Sequence, residues 1–211
     1  MSKIILIGGP PRSGKTTLAR SISKETGIGW ISTDAFDDIA KRYVTAADRD
    51  ALFPKTALRR GSGGGNDEMY ASFSTEKIVG AYLKQAETIH PAIESFVSCA
   101  QGEEWDYVIE GYHITPKLIA KLQSESTDIV GAVLVCGAPE KVIERSKSSI
   151  TKQDWLRDKT ERSETFDKVA DMIGLFSSEL RDEAEKFGVK VIDTSDNFTQ
   201  KSEEALTYLT Q

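Results

Sequence analysis

Five short apolar runs along the chain have the length of β-strands, and helical patterns separate them. The run Ile129–Cys136 is apolar at almost every position, as is typical of a strand buried on both faces of a parallel sheet. Strands that alternate with helices indicate a parallel α/β fold. We therefore predict a three-layer α/β fold with a five-stranded parallel sheet and helices on both faces. The other predicted strands are Lys3–Gly8, Gly29–Ser32, Asp106–Ile109 and Val189–Ile192.

The interval between the second and third predicted strands is too long for a plain crossover connection. Helical patterns at Phe36–Tyr43 and near Ser74–Ala100 flank a glycine-rich piece, Gly61–Gly65. One interpretation of this piece is a flexible surface loop. The other is a mobile flap over an acceptor substrate, in which Arg59 and Arg60 offer charge to an anionic group.

Length and composition limit the class of protein. A chain of 211 residues fits one domain, so we expect a single domain over residues 1–211. Within it, residues 34–105 form an acceptor-side insertion and flap, and residues 140–165 form a lid. The composition, with 39% hydrophobic and 28% charged residues, is ordinary for a globular protein. The formal net charge of −6 disfavours a duplex nucleic acid as partner.

Compartment and partners are indicated by what the sequence does not contain. No apolar run approaches the length of a membrane span, and the chain enters its first strand without a signal peptide. Cys99 and Cys136 match no metal-binding spacing and are interpreted as reduced thiols. We expect a cytoplasmic monomer or homodimer that binds a small-molecule acceptor, with neither nucleic acid nor membrane as a partner.

The segment GPPRSGKT between the first strand and the first helical pattern fits the phosphate-binding loop G-x-x-x-x-G-K-[ST]. In such a loop, glycines allow the backbone N–H groups to approach phosphate oxygens at the start of a helix. Lys15 is expected to reach the β- and γ-phosphates, and the Thr16 hydroxyl to bind Mg²⁺. The predicted nucleotide-binding residues are Gly9, Pro11, Arg12, Ser13, Gly14, Lys15, Thr16 and Thr17.

Polar residues follow the second and third strands, where ligands of parallel sheets bind. Asp34 is a candidate catalytic residue that orients or deprotonates a substrate hydroxyl or holds a water molecule on Mg²⁺. Alternatively, Asp34 or Thr33 caps the following helix. Glu110 is a candidate for Mg²⁺ or for a substrate hydroxyl, or a carboxylate satisfied by backbone N–H groups. His113 is either a substrate contact or a polar loop residue.

Basic residues follow the fourth strand, in the predicted lid. They can close over a triphosphate and stabilise charge that develops on the transferred group. Nearby acidic residues equally allow ordinary pairs on helix surfaces. From this group we assign Arg145 to nucleotide binding and Arg157 to catalysis, and Lys152 and Arg162 are further candidates.

Three segments together, IILIGGPPRSGKTTLA, WISTDAF and VIEGYHITP, resemble the P-loop small-molecule kinases, and the 2-phosphoglycerate kinase type most of all. The resemblance covers the core strands and their loops. It implies a P-loop NTPase fold with an adenylate-kinase-like core, ATP as donor and Mg²⁺ as cofactor. By position it implies that Lys15 and Thr16 serve phosphate and metal, Asp34 the acceptor hydroxyl, and Glu110 the acceptor or the metal.

Four functions are compatible with a phosphate loop. The first is an enzyme that moves the γ-phosphoryl group of ATP to a hydroxyl or phosphate of a small molecule. A GTPase switch is disfavoured because the chain has no N-K-x-D segment and no D-x-x-G segment after the third strand. The others are a nucleotide-binding ATPase module with a macromolecular partner, and a toxin-like or antibiotic-modifying phosphotransferase.

Overall fold

The computed structural model describes residues 2–148 and 155–211. Its five strands lie where the apolar runs predict them, with bounds that differ by at most one residue. They are β1 Ile4–Gly8, β2 Gly29–Ser32, β3 Tyr107–Glu110, β4 Ile129–Val135 and β5 Lys190–Asp193. They form one sheet in the order β2-β3-β1-β4-β5, and each neighbouring pair is parallel. The predicted five-stranded parallel sheet is confirmed.

Helices cover both faces of this sheet, as predicted. In chain order they are α1 Lys15–Thr26, α2 Thr33–Tyr43, α3 Arg49–Leu52, α4 Pro54–Gly61, α5 Asn66–Ser72, α6 Thr75–Gly102, α7 Pro116–Glu125, α8 Pro139–Ser148, α9 Trp155–Asp158, α10 Ser163–Phe187 and α11 Phe198–Thr210. Side chains of a strand alternate between faces. Ile5 and Ile7 therefore pack against α1 and α11, whereas Ile4 and Leu6 pack against α6 and α7.

The strand register brings three polar segments to one edge of the sheet. Ile7 of β1 is paired with Glu110 of β3, and Ser32 of β2 is paired with Glu110 from the other side. The loop after β1, the start of α2 and the end of β3 therefore meet at the carboxyl edge, where parallel sheets bind their ligands.

The insertion between β2 and β3 is mostly helical. Arg59 and Arg60 lie on α4, and the glycine-rich piece is a short turn between α4 and α5. Gly63 and Gly64 have φ angles of 80° and 90°, a region that favours glycine, and the Gly64 N–H donates to the Arg59 carbonyl at 2.9 Å. The turn thus brings the chain back beside α4. The predicted lid spans residues 140–165. Residues 149–154 of this segment, including the candidate Lys152, lie outside the described residues.

Candidate functional site

The phosphate loop joins β1 to α1 and leaves the start of α1 open to an anion. Gly14 precedes α1 with φ 96°, and no side chain caps that end of the helix. A Cβ on Gly9 would lie 2.2 Å from the Leu134 carbonyl oxygen, and one on Gly14 would lie 2.3 Å from the Phe198 ring. Both positions therefore require glycine. The free N–H groups and the helix dipole make this end of α1 suited to phosphate.

Lys15, the first residue of α1, lies over the loop. Its side chain is buried, and its Nζ donates to the Pro10 carbonyl at 2.6 Å. Burial lowers the pKa of Lys15, while the nearby carboxylates of Glu110 and Asp34 oppose that shift. A buried ammonium gains more from a polyanionic ligand than an exposed one, because the local dielectric constant is low.

Thr16 and Glu110 form the candidate magnesium site. The Thr16 hydroxyl donates to Glu110 Oε1 at 3.1 Å, and Glu110 is only 3% exposed. Burial raises the pKa of Glu110, whereas Lys15 and hydrogen bonds from Thr16 and Ser32 lower it. A hydroxyl and a carboxylate oxygen are ligands that Mg²⁺ accepts, with phosphate oxygens and water completing its shell. The residues present therefore fit this ion.

Asp34 is not a helix cap. The cap of α2 is Ser32, whose Oγ accepts from the Asp34 N–H at 3.4 Å. The alternative that Asp34 or Thr33 caps this helix is therefore wrong. Thr33 Oγ1 instead lies 2.8 Å from Nδ1 of His113. With the cap supplied by Ser32, the exposed carboxylate of Asp34 faces the same cavity as Lys15 and Thr16.

One cavity of about 520 Å³ contains both the phosphate loop and the start of α2. Five basic side chains and two carboxylates line it, so its local charge is positive although the whole chain carries −6. The lining residues are Pro11, Arg12, Lys15, Thr16, Ser32, Asp34, Lys41, Lys55, Thr56, Arg59, Tyr82, Glu110, Gly111, Tyr112 and Trp155. Such a lining favours anionic ligands.

Lys55 stands on α4 between two aromatic rings. Its Nζ lies 5.2 Å from the ring centroids of Tyr82 and Tyr112. Burial lowers the pKa of Lys55, an effect that the carboxylates of Asp34 and Asp37 oppose. Within residues 2–148 and 155–211, no hydrogen bond or ion pair is formed by this ammonium group. Lys55 is partly buried, and a cation in such a place gains from an anion that binds beside it.

A buried amide holds α4 in this position. Gln85 of α6 is fully buried, and its Oε1 accepts from the Thr56 N–H at 3.0 Å. Its Nε2 donates to Asp37 Oδ1 at 2.9 Å and to the Tyr112 hydroxyl at 3.1 Å. Gln85 thereby fixes α4, α2 and the loop after β3 relative to one another, and with them Lys55.

Several predicted residues do not line this cavity. His113 is fully buried beneath Tyr112, with ring centroids 3.7 Å apart, and burial holds its pKa well below the ordinary value. The structure thus places His113 in the interior rather than against a substrate. Arg60 is exposed and pairs with Asp50. Arg157 is exposed and pairs with Asp158 at 3.3 Å.

Arg145 lies on the other side of the phosphate loop. Its guanidinium donates to the Thr194 carbonyl and lies 5.1 Å from the Phe198 ring centroid, the ring that faces Gly14. Thr194 Oγ1 in turn donates to the Ser13 carbonyl at 3.1 Å. The predicted nucleotide-binding residue Arg145 therefore borders the loop.

Sequence reasoning missed the basic wall formed by Lys41 and Lys55 and the aromatic wall formed by Tyr82, Tyr112 and Trp155. One signal was available: Lys55 and Arg59 are four residues apart, and such residues share one face of a helix. Nothing in the sequence shows that this face of α4 turns toward the cavity.

Comparisons with known proteins agree with the fold and the loop. The family model described as "ATPase family associated with various cellular activities (AAA)" matches residues 5–93. A 2-phosphoglycerate kinase of Methanopyrus kandleri is 28% identical over 119 residues, which are 56% of this chain and 35% of that protein. The match thus spans about a third of that relative's length. It confirms the resemblance that the three sequence segments indicate.

Among solved structures, a shikimate kinase from Bacteroides thetaiotaomicron has a TM-score of 0.49 and 14% identity, with 99% of each chain covered. A gluconokinase from Sinorhizobium meliloti has a TM-score of 0.48 and 14% identity, covering 99% of this chain and 91% of that one. Within the part of the chain that the structure describes, no helix is long and apolar enough to cross a membrane.

Proposed function

Because the chain has the fold and the phosphate loop of a P-loop NTPase, we propose that it is an ATP-dependent phosphotransferase. It moves the γ-phosphoryl group of Mg-ATP to a hydroxyl of a small molecule that carries an anionic group. The observation that carries the proposal is that the phosphate loop, the Asp34 carboxylate and a second set of cations line the same cavity.

Two groups of cations divide this cavity. Arg12 and Lys15 belong to the phosphate loop and serve the triphosphate. Lys41, Lys55 and Arg59 come from α2 and α4. These three side chains together form a basic wall, from which an uncharged acceptor would gain little. The relative named above is called a 2-phosphoglycerate kinase, and a phosphorylated hydroxy acid has the chemistry that this wall would bind.

The residue positions support the following reaction. Asp34 accepts the proton of the acceptor hydroxyl, whose oxygen forms a bond to the γ-phosphorus. The bond between that phosphorus and the β,γ-bridging oxygen breaks, and ADP leaves with the electron pair. Lys15 balances charge on the phosphate oxygens. Thr16 and Glu110 would hold Mg²⁺, which neutralises phosphate charge when bound.

The test measures ADP release from Mg-ATP in the presence of matched acceptors. The panel contains 2-phosphoglycerate, glycerate and the neutral analogue glycerol, and Lys15→Ala serves as the inactive control. The proposal predicts ADP release that depends on an anionic acceptor and vanishes in Lys15→Ala. Equal release with every acceptor, or none while ATP still binds, would overturn it and favour an ATPase module with a macromolecular partner.

A further inference from the structure

Asn66, the first residue of α5, is a fully buried amide that bonds to two separate parts of the chain. Its Oδ1 accepts from Nη2 of Arg59 at 2.8 Å. Its Nδ2 donates to the Trp155 carbonyl and to Thr160 Oγ1, both at 2.9 Å. Its backbone N–H donates to the Lys159 carbonyl at 3.2 Å. Oxygen and nitrogen of one amide thus hold α4 on one side and residues 155–160 on the other.

The two parts that Asn66 joins are both walls of the cavity. Arg59 and Trp155 line it, and the Arg59 guanidinium lies 5.7 Å from the Trp155 ring centroid. Asn66 itself lies behind them and does not line the cavity. Its effect on a bound ligand must therefore pass through these two side chains.

Asp67 adds a second attachment directly beside the first. Its Oδ2 accepts from the Glu161 N–H at 2.8 Å, and its Oδ1 accepts from the Thr165 hydroxyl at 2.6 Å. Asp67 also accepts from the Arg162 N–H at 3.3 Å, directly before α10. The segment Trp155–Arg162 is thereby tied to α5 at two consecutive residues.

The glycine-rich turn makes these attachments possible. Residues 61–65 reverse the chain after α4, so that Asn66 returns to the Arg59 side chain only seven positions away in the sequence. A buried amide whose partners move apart would be left unpaired, which is unfavourable. Displacement of Arg59 therefore tends to displace Trp155 with it.

We propose that Asn66 is a positioning residue that makes Arg59 and the segment Trp155–Arg162 move as one wall of the cavity. An anion that binds at Arg59 thereby changes the position of Trp155. The inference rests on the proposed function only in identifying that anion as part of the acceptor.

The experiment uses Trp155 as its own reporter. In the 211-residue chain with Trp30→Phe and Trp105→Phe, Trp155 is the remaining tryptophan. With the phosphate loop filled by Mg-ADP, inorganic phosphate is titrated while Trp155 emission is recorded. Acrylamide quenching without phosphate measures the exposure of the ring. Phosphate is expected to change the emission in this protein and in Arg60→Met, but not in Arg59→Met.

Asn66→Asp is the decisive variant, since it retains an oxygen acceptor for Arg59 but loses the amide donors to Trp155 and Thr160. It is expected to increase quenching of Trp155 and to lose the phosphate response, while calorimetry still detects phosphate binding. Thr160→Val removes one of those bonds with less risk to folding and should increase quenching to a smaller extent. Gln101→Glu makes the same amide-to-carboxylate change at a bond to Ser126 outside the cavity lining and should change neither readout.

Wild-type quenching and a wild-type phosphate response in Asn66→Asp would overturn the proposal. An equal loss in Gln101→Glu would also overturn it, because the effect would then be general loosening. The absence of any phosphate response in the reporter protein would overturn the coupling. Neither readout requires turnover, so a failed kinase assay and a failed coupling remain distinguishable.

Discussion

Replacement of Lys55 by methionine tests whether the cation between Tyr82 and Tyr112 serves the acceptor or the fold. Methionine retains most of the length and the apolar stem of lysine and removes the charge. Since the ammonium has no bonded counter-ion within the described residues, its removal leaves no carboxylate of the chain unpaired. Any large effect on catalysis must therefore come from the ligand.

The size of that effect follows from the burial of the site. Two unit charges 4 Å apart at an effective dielectric constant of about 20 attract by about 4 kcal/mol. Lys41 and Arg59 remain in the same wall and retain part of the attraction, so we expect a net loss of about 3 kcal/mol. That loss corresponds to an approximately 100-fold lower kcat/KM for an anionic acceptor.

Stability should change in the opposite direction. Burial lowers the pKa of Lys55, so the folded state binds this proton less tightly than the unfolded state does. At pH values below the folded-state pKa the charged side chain therefore destabilises the fold, and the penalty fades as pH rises toward the ordinary lysine value. Lys55→Met removes the penalty, and its melting temperature at pH 7 should equal or exceed that of the parent.

The assay measures kcat/KM for the best anionic acceptor of the panel, with thermal unfolding in parallel. Lys84→Met makes the same change at an exposed position of α6 and should leave kcat/KM unchanged. The reasoning is refuted if Lys55→Met lowers the melting temperature clearly, or if its kcat/KM stays within about threefold of the parent, well under the tenfold that 1.4 kcal/mol represents.

Three further predictions concern single residues of the site and its support. Asp34→Asn should lower the rate of phosphoryl transfer by about 10²–10⁴-fold, while ATP affinity measured by calorimetry should stay unchanged. Asp38→Asn, at an exposed position of α2, should change neither the transfer rate nor the ATP affinity. Gly14→Ala should abolish ATP binding and lower the melting temperature, because its Cβ would clash with the ring of Phe198. Gly27→Ala, at φ 76° with no atom within 4 Å, should lower the melting temperature only through backbone strain and leave ATP binding unchanged. Burial raises the pKa of Asp67, but hydrogen bonds hold it below the ordinary value, so its charge stabilises the fold above about pH 4; the cost of Asp67→Asn in urea unfolding should shrink as pH falls through the folded-state pKa.

The sheet could be predicted because each of its strands is a local, nearly continuous apolar run. The same holds for the positions of Lys15 and Thr16, which a contiguous motif between β1 and α1 determines. Asp34 and Glu110 could be placed because parallel strands bring their carboxyl ends to one edge. In each case, information within a few residues of the chain determines the position.

His113 shows where that reasoning is insufficient. It follows a strand end, as Asp34 does, but Gly111 turns the backbone with φ 154°. After this turn Tyr112 lines the cavity, whereas His113 lies in the core, where it meets Thr33. Which of these neighbouring residues lines the cavity depends on the path of the backbone after β3, and the residue types alone do not determine that path.

The basic wall could not be predicted because its position depends on contacts distant in the sequence. A lysine and two arginines on the short helix α4 are equally typical of a solvated helix face. What turns Lys55 and Arg59 inward is the bond from Thr56 to Gln85, 29 positions away, and the amide of Asn66 beyond the glycine turn. Polar side chains buried in the insertion thus hold the cations that face the phosphate loop. This dependence explains why the phosphate loop is recognisable in the sequence while the acceptor half of the cavity becomes visible only in the folded chain.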